Sequence, residues 1–182
     1  MNFNIVIISH FNKQKVLDKL ILEHQNLSYL DLKRLIYDEN LYSRINFSKL
    51  NSSDFNILEI YPTSKILINS VSKFLNLKPE KTIMKTTLQI LRKLKPEIII
   101  LRDFDAFSID EINNLKFNGT IKSKTVLLNG YPIRNTNNYS KFNHVVFRLP
   151  YLLENFKNIC KNSNLIYHCF NKNILEKLFN KS

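Results

Sequence analysis

The feature that most constrains the fold is an uninterrupted run of four aliphatic residues over 98–101 that ends abruptly on Arg102 and Asp103. Four such residues without alternation are typical of a strand that is buried on both faces, as in a parallel sheet covered by helices. Open parallel sheets bind ligands beyond the carboxyl ends of their strands, so the polar residues that follow are candidate site residues. Asp103 and Asp105 have a second interpretation, because aspartates also satisfy the backbone of ordinary turns.

The rest of the chain alternates between strand and helix patterns. Short apolar runs lie at 4–9, 55–61, 125–128, 144–149 and 165–169. The segments between them mostly carry apolar residues at helical spacing, including a helix predicted over 40–50. This alternation predicts an α/β, Rossmann-like doubly wound fold, with a mostly parallel sheet and helices on both faces. With 182 residues, of which 44% are hydrophobic, we expect one domain over 1–182.

Cysteine content and hydropathy give several expectations about the class of protein. Cys160 and Cys169 are too few and too widely spaced to indicate a disulfide framework or a metal site, so no metal is predicted. The sequence lacks a run of about 18 apolar residues and a secretory signal pattern, so we expect a cytoplasmic location without a transmembrane segment. A peripheral contact with a membrane stays open.

The formal net charge of +12 would ordinarily suggest a nucleic-acid partner. The basic residues are scattered over predicted helices, without an Arg-rich arm or zinc-finger spacing, so no specific nucleic acid is predicted. One basic cluster, Arg92, Lys93 and Lys95, closes the helix predicted over 82–94. We interpret it as complementing the helix dipole in preference to binding phosphate.

Polar residues at the ends of three predicted strands form the candidate site. They are Ser9, His10 and Phe11 after the first strand, Arg102, Asp103 and Asp105 after the central one, and Asn129, Gly130 and Tyr131 after the next. The first loop lacks glycine, which disfavours a dinucleotide site of the G-x-G-x-x-G type. Parallel strands end at one edge of a sheet, so we expect these loop tips to gather at a common rim.

Several stretches resemble a known enzyme family. The run over 28–78, the phrase LRKLKPEIIILRDFDAF, and the later phrases FNHVVFRLPYLLENFK and IYHCFNKNIL resemble the N-terminal half of the spore-maturation CgeB-like glycosyltransferases. The resemblance spans nearly the whole chain, although this chain has Arg102-Asp103 where the family often has Gln-Asp. It implies a GT-B architecture, in which two Rossmann-like domains face each other across a cleft.

The resemblance also implies a function. The chain would be the N-terminal, acceptor-binding half of a glycosyltransferase in cell-surface polysaccharide or glycoconjugate biosynthesis. No cofactor is expected in this chain, and the nucleotide-sugar donor would bind a C-terminal domain carried by a longer protein or by a second chain. The expected partners are therefore an acceptor saccharide or glycoconjugate and that second chain.

Roles for individual residues follow from the same comparison. An inverting transfer needs a base that accepts the proton of the acceptor hydroxyl, so Asp103 and His10 are the predicted catalytic residues. Arg102 either neutralises a phosphate or carboxylate on the acceptor or pairs with a nearby acid. The predicted substrate-binding residues are Ser9, Phe11, Arg102, Asp105, Asn129, Gly130 and Tyr131.

Two alternatives remain open. A non-catalytic module that binds a saccharide or a protein is favoured by the absence of a glycine-rich phosphate loop and of a nucleophile elbow. A nucleotide-binding or receiver-like regulator would hold magnesium with acids at the strand ends, but Asp103, Asp105 and Asp110 are dispersed. Stabilisation by magnesium would favour the regulator.

Overall fold

The computed structural model describes residues 3–9, 14–24, 26–38, 56–102, 109–130 and 135–166, with the backbone alone at 14–17, 37 and 38. The strands are β1 Ile5–Ser9, β2 Ile57–Ile60, β3 Ile98–Arg102, β4 Lys124–Asn129, β5 His144–Phe147 and β6 Ser163–Leu165. The helices are α1 Gln14–Glu23, α2 Tyr29–Asp38, α3 Lys65–Phe74, α4 Ile83–Leu94, α5 Ile109–Phe117 and α6 Pro150–Phe156, with a 3-10 helix at Thr136–Lys141. The helix predicted over 40–50 lies outside the described residues.

The six strands form one parallel sheet in the order β2-β1-β3-β4-β5-β6. This confirms the predicted α/β, Rossmann-like fold and the internal position of the strand over 98–101. The chain moves from β1 to β2 in one direction and then passes back across β1 to β3. The strand order therefore reverses between β1 and β3, and in doubly wound sheets ligands bind outside the carboxyl ends of the strands at such a switch point.

Burial on both faces explains why β1 and β3 consist mainly of aliphatic residues. All five residues of β1 are buried. Val6 and Ile8 belong to the large apolar core that includes residues of all six helices, whereas Ile5 and Ile7 form a smaller cluster on the opposite face. Each such side chain contributes roughly 1.5–3 kcal/mol when it is removed from water, so burial on both faces stabilises β1 inside the sheet.

Side-chain caps set the beginnings of three helices. Ser28 accepts a hydrogen bond from the backbone N–H of Asp31 at 3.2 Å, as the sequence pattern predicts for the start of α2. Thr82 caps α4 in the same way, 3.2 Å from the N–H of Lys85. Ser64 is the N-cap of α3, which begins at Lys65, and its hydroxyl accepts a hydrogen bond from the N–H of Leu67.

The carbonyl ends of α3, α4 and α5 are closed by residues in the left-handed region, namely Asn76, Lys95 and Gly119. At Gly119, whose φ is 67°, the N–H donates to the carbonyl of Lys116, and the N–H of Thr120 donates to that of Leu115. This paired arrangement satisfies the last carbonyls of the helix and turns the chain into β4.

Two elements differ from the sequence-based expectation. The last strand was expected over 165–169, but β6 is Ser163–Leu165, and residues 167–169 lie outside the described part of the chain. The N–H of Val145 donates to Asn162 and that of Ile166 to Phe147, so backbone pairing defines this strand. Its residues are incompletely buried, which explains the lack of a strand-like apolar pattern. The 3-10 helix was not predicted, because its sequence, TNNYSK, is typical of turns.

We expect Gly119→Ala to lower the free energy of unfolding by about 1–2 kcal/mol, because a Cβ disfavours the left-handed conformation. An added Cβ would meet no heavy atom within 4 Å, so backbone strain is the sole cost. Urea unfolding would measure the change, with Asn114→Ala on the exposed face of the same helix as the control. Unchanged stability of Gly119→Ala would contradict the assigned helix end.

Candidate functional site

A buried polar cluster spans three strands at the switch point. The carboxylate of Glu59 on β2 accepts a hydrogen bond from the hydroxyl of Ser9 at 2.6 Å and one from Nη1 of Arg102 at 3.2 Å. Ser9 and Arg102 are register partners at the ends of β1 and β3. Ser9 is 0% exposed, Glu59 is 4% exposed and Arg102 is 2% exposed, so the ion pair is shielded from solvent.

Helix α2 adds two groups to this cluster. The hydroxyl of Tyr29 donates to the backbone carbonyl of Glu59, which anchors the helix to β2. Burial, and secondarily the charge of Glu59, raise the pKa of Tyr29 well above its ordinary value. One turn later, burial lowers the pKa of Lys33, while Glu59 acts to raise it. Glu59 is therefore the negative charge that pairs with Arg102 and acts on the pKa of Lys33.

The cluster is built to position residues more than to react. A buried carboxylate is tolerated when it is paired and hydrogen-bonded, and the loss of one partner leaves an uncompensated charge. The contacts of Glu59 with Ser9 and Arg102 tie the last residues of β1 and β3 to the same anchor. Of the two roles considered for Arg102, the ion pair with an acid is thus present.

A second polar contact lies at the end of β4. Asn129 is fully buried, and its Nδ2 donates to the hydroxyl of Tyr139 at 2.7 Å. Tyr139 in turn packs against Phe147 and Phe156, with ring centroids 5.4 and 5.2 Å apart. Asn129 therefore fixes the 3-10 helix against β5 and α6.

Gly130 permits the close approach of Arg148. An added Cβ at Gly130 would lie 2.7 Å from Cζ and 2.8 Å from Nε of Arg148, which is tighter than real contacts allow. The backbone N–H of Arg148 donates to the carbonyl of Asn129 at 2.9 Å, so the two strand ends are joined. Arg148 is 8% exposed, and its guanidinium occupies the space that a side chain at 130 would fill.

Four of the predicted site residues lie among the described residues and share the carboxyl edge of the sheet, namely Ser9, Arg102, Asn129 and Gly130. Ser9 and Arg102 are in contact with the same carboxylate, and Arg102 is the register partner of Leu128, the residue before Asn129 and Gly130. The remaining predicted site residues are His10, Phe11, Asp103, Asp105 and Tyr131, which lie outside the described residues.

Glu59 and Arg148 belong to the edge but were not selected from the sequence. Glu59 is the one acidic residue in the described strands, within the apolar run ILEI, and Arg148 follows the apolar run HVVF. Charged residues are seldom fully buried without a partner. A charge inside or directly after a buried strand was therefore the signal for both residues.

Three other features concern the part of the chain that the structure describes. There, no group of three or more His, Cys, Asp or Glu side chains is placed to hold a metal ion. In the same part of the chain, no helix has the length and apolar character needed to cross a bilayer. A cavity of about 510 Å³ lies at the opposite, amino edge of the sheet, away from the predicted site residues.

Comparison with models of known protein families and with curated proteins finds no match to this chain. Its function is therefore argued from the geometry of the two edges.

We expect Gly130→Ala to displace the guanidinium of Arg148 and to lower the free energy of unfolding by about 1–3 kcal/mol, the usual cost of overpacking. In an Arg148→Ala background the same substitution should cost less than about 0.5 kcal/mol, because the obstructing group is gone. Urea unfolding of the four proteins gives the coupling. Equal costs in both backgrounds would contradict the close approach.

Proposed function

We propose that this chain is the acceptor-binding half of a glycosyltransferase that acts in cell-surface polysaccharide or glycoconjugate biosynthesis. The acceptor saccharide would bind at the carboxyl edge, over the switch point between β1 and β3. The nucleotide-sugar donor would be bound by a second Rossmann-like domain. The observation that carries the proposal is the register of Ser9 with Arg102 over the carboxylate of Glu59.

That register supports the proposed catalytic residues. His10 directly follows Ser9, and Asp103 directly follows Arg102. Neighbouring strands lie about 4.8 Å apart, so the described chain leaves the sheet at two adjacent points immediately before these residues. A base and a second polar group anchored at adjacent strand ends match the needs of a transfer to a hydroxyl acceptor.

Glu59 is a poorer candidate for the base. Its carboxylate already accepts hydrogen bonds from Ser9 and Arg102, and it is 4% exposed. A general base must reach the proton that it removes. We therefore assign Glu59 a positioning role and keep Asp103 and His10 as the catalytic candidates.

The ion pair between Glu59 and Arg102 leaves neither side chain available for proton transfer. This favours a second candidate function, a non-catalytic module that binds a saccharide or a protein. In that case the carboxyl edge would recognise its partner without proton transfer. The two functions differ in one measurable respect, since only the enzyme half needs an ionisable group at position 103 or 10.

The first test is ligand binding by the ¹⁵N-labelled chain, followed by NMR. We expect soluble cell-surface oligosaccharides to shift the amide signals of Ser9, Arg102, Asn129 and Gly130, and nucleotide-sugars to leave them unchanged. Shifts at these amides caused by nucleotide-sugars or by magnesium, with none caused by oligosaccharides, would overturn the proposal.

The second test separates the enzyme half from the binding module. With a donor-binding domain supplied, we expect Asp103→Asn to lower transfer about 10²–10⁴-fold, the usual contribution of a general base, and to change acceptor affinity little. Asp110→Asn is the matched control, because it removes an exposed carboxylate that pairs with Lys141 at 2.8 Å. Undiminished transfer by Asp103→Asn would remove the assigned base.

A further inference from the structure

The cavity at the amino edge brings together three lysines from two separate parts of the chain. Lys95 follows α4, Lys122 lies between α5 and β4, and Lys124 is the first residue of β4. All three are exposed, and the cavity has a volume of about 510 Å³. Ligand pockets of proteins are usually about 300–1,000 Å³, so the space suits a small molecule or a headgroup.

Complementing a helix dipole does not account for Lys122 and Lys124. Arg92 and Lys93 lie in the last turn of α4, and Lys116 lies in the last turn of α5, where a cation complements the dipole. Lys122 and Lys124 lie beyond the end of α5 and belong to no helix. The backbone N–H of Lys95 donates to the carbonyl of Leu91 at 2.8 Å, so Lys95 lies at the carbonyl end of α4, where its ammonium complements the dipole and also lines the cavity.

The positive charge of this cavity is not neutralised locally. Within the described residues, none of Lys95, Lys122 and Lys124 is in an ion pair. Glu97 is the sole acidic residue among those that line the cavity. Three lysines against one glutamate leave the lining with a formal charge of +2.

The surroundings add positive charge. Lys116 donates to Oδ1 of Asn143 at 2.8 Å, near the loop that leads into β5. Burial, and secondarily the charge of Lys161, lower the pKa of Lys116. The excess of basic residues in the composition is thus concentrated in part at the amino edge.

We propose that the amino-edge cavity binds a phosphate-bearing anion through Lys95, Lys122 and Lys124. A phosphate group carries up to two charges and several acceptor oxygens, which lysine ammonium groups can share as charge-assisted donors. The site lies at the opposite end of the strands from the proposed saccharide site. Its occupation is therefore separable from acceptor binding.

Isothermal titration calorimetry with tripolyphosphate at low salt tests the site directly. We expect Lys122→Gln and Lys124→Gln each to weaken binding about fivefold or more, and the double variant about twentyfold or more. Lys65→Gln is the matched control, because it removes an equally exposed lysine at the start of α3. Its affinity should stay within about twofold of the wild type.

Two results would overturn the proposal. One is a double variant that binds tripolyphosphate as tightly as the wild type. The other is an equal loss in Lys65→Gln, which would show that net charge and not this cavity attracts the anion. All these substitutions are at exposed side chains, so the variants should fold, and their unfolding curves confirm it.

A parallel experiment identifies the source of the phosphate. Vesicles of phosphatidylcholine with and without phosphatidylglycerol are sedimented with the wild type and the double variant. If the wild type binds phosphatidylglycerol vesicles and the double variant does not, the ligand is a lipid headgroup. Phe117 at the end of α5 is 91% exposed, which suits contact with a lipid surface. Binding of tripolyphosphate alone supports a free phosphate ligand, and binding of neither probe overturns the site.

Discussion

The ion pair between Glu59 and Arg102 links strands that are not neighbours, because β1 lies between β2 and β3. Ser9 on β1 donates to the same carboxylate, so one anchor holds three adjacent strands. Side chains alternate between the two faces of a strand, and a slip of one residue would move Glu59 into the large apolar core. Because burying an unpaired carboxylate costs several kcal/mol, the pair opposes such a slip.

The two edges of the sheet differ in their chemistry. At the carboxyl edge the polar groups are buried and paired, with Glu59, Arg102 and Asn129 all under 5% exposed. At the amino edge the lysines are exposed and lack carboxylate partners within the described residues. The first edge is suited to holding loops in a defined position, and the second is suited to attracting an anion. The lining of the amino-edge cavity therefore holds +2 of the formal net charge of +12.

Much of the fold could be predicted because its signals are local. The aliphatic runs of β1 and β3 indicate strands that are buried on both faces. Ser28 and Thr82 indicate the starts of helices, because a cap depends only on residues close in sequence. The edge strand β6 lacks that signal, because its residues are only partly buried and its backbone pairing does not require an apolar pattern.

The candidate site was predicted in part for the same reason. The strand ends Ser9, Arg102 and Asn129 follow from local patterns, and a parallel sheet places them at one edge. The partner of Arg102 could not be predicted from local patterns. Glu59 is 43 residues away in the sequence, and the strand order brings it close to Arg102. Likewise, Lys122 and Lys124 join Lys95 only when β3 and β4 are paired. The roles of His10 and Asp103 stay predictions.

A double-mutant cycle on the central ion pair tests this account most directly. The free energy of unfolding is measured in urea for the wild type, Glu59→Gln, Arg102→Gln and the double variant. Each single variant removes one charge of the buried pair, so we predict a loss of about 3–5 kcal/mol for each and a much smaller loss than their sum for the double variant. Losses below about 1 kcal/mol that simply add would show that the pair does not hold the switch point together.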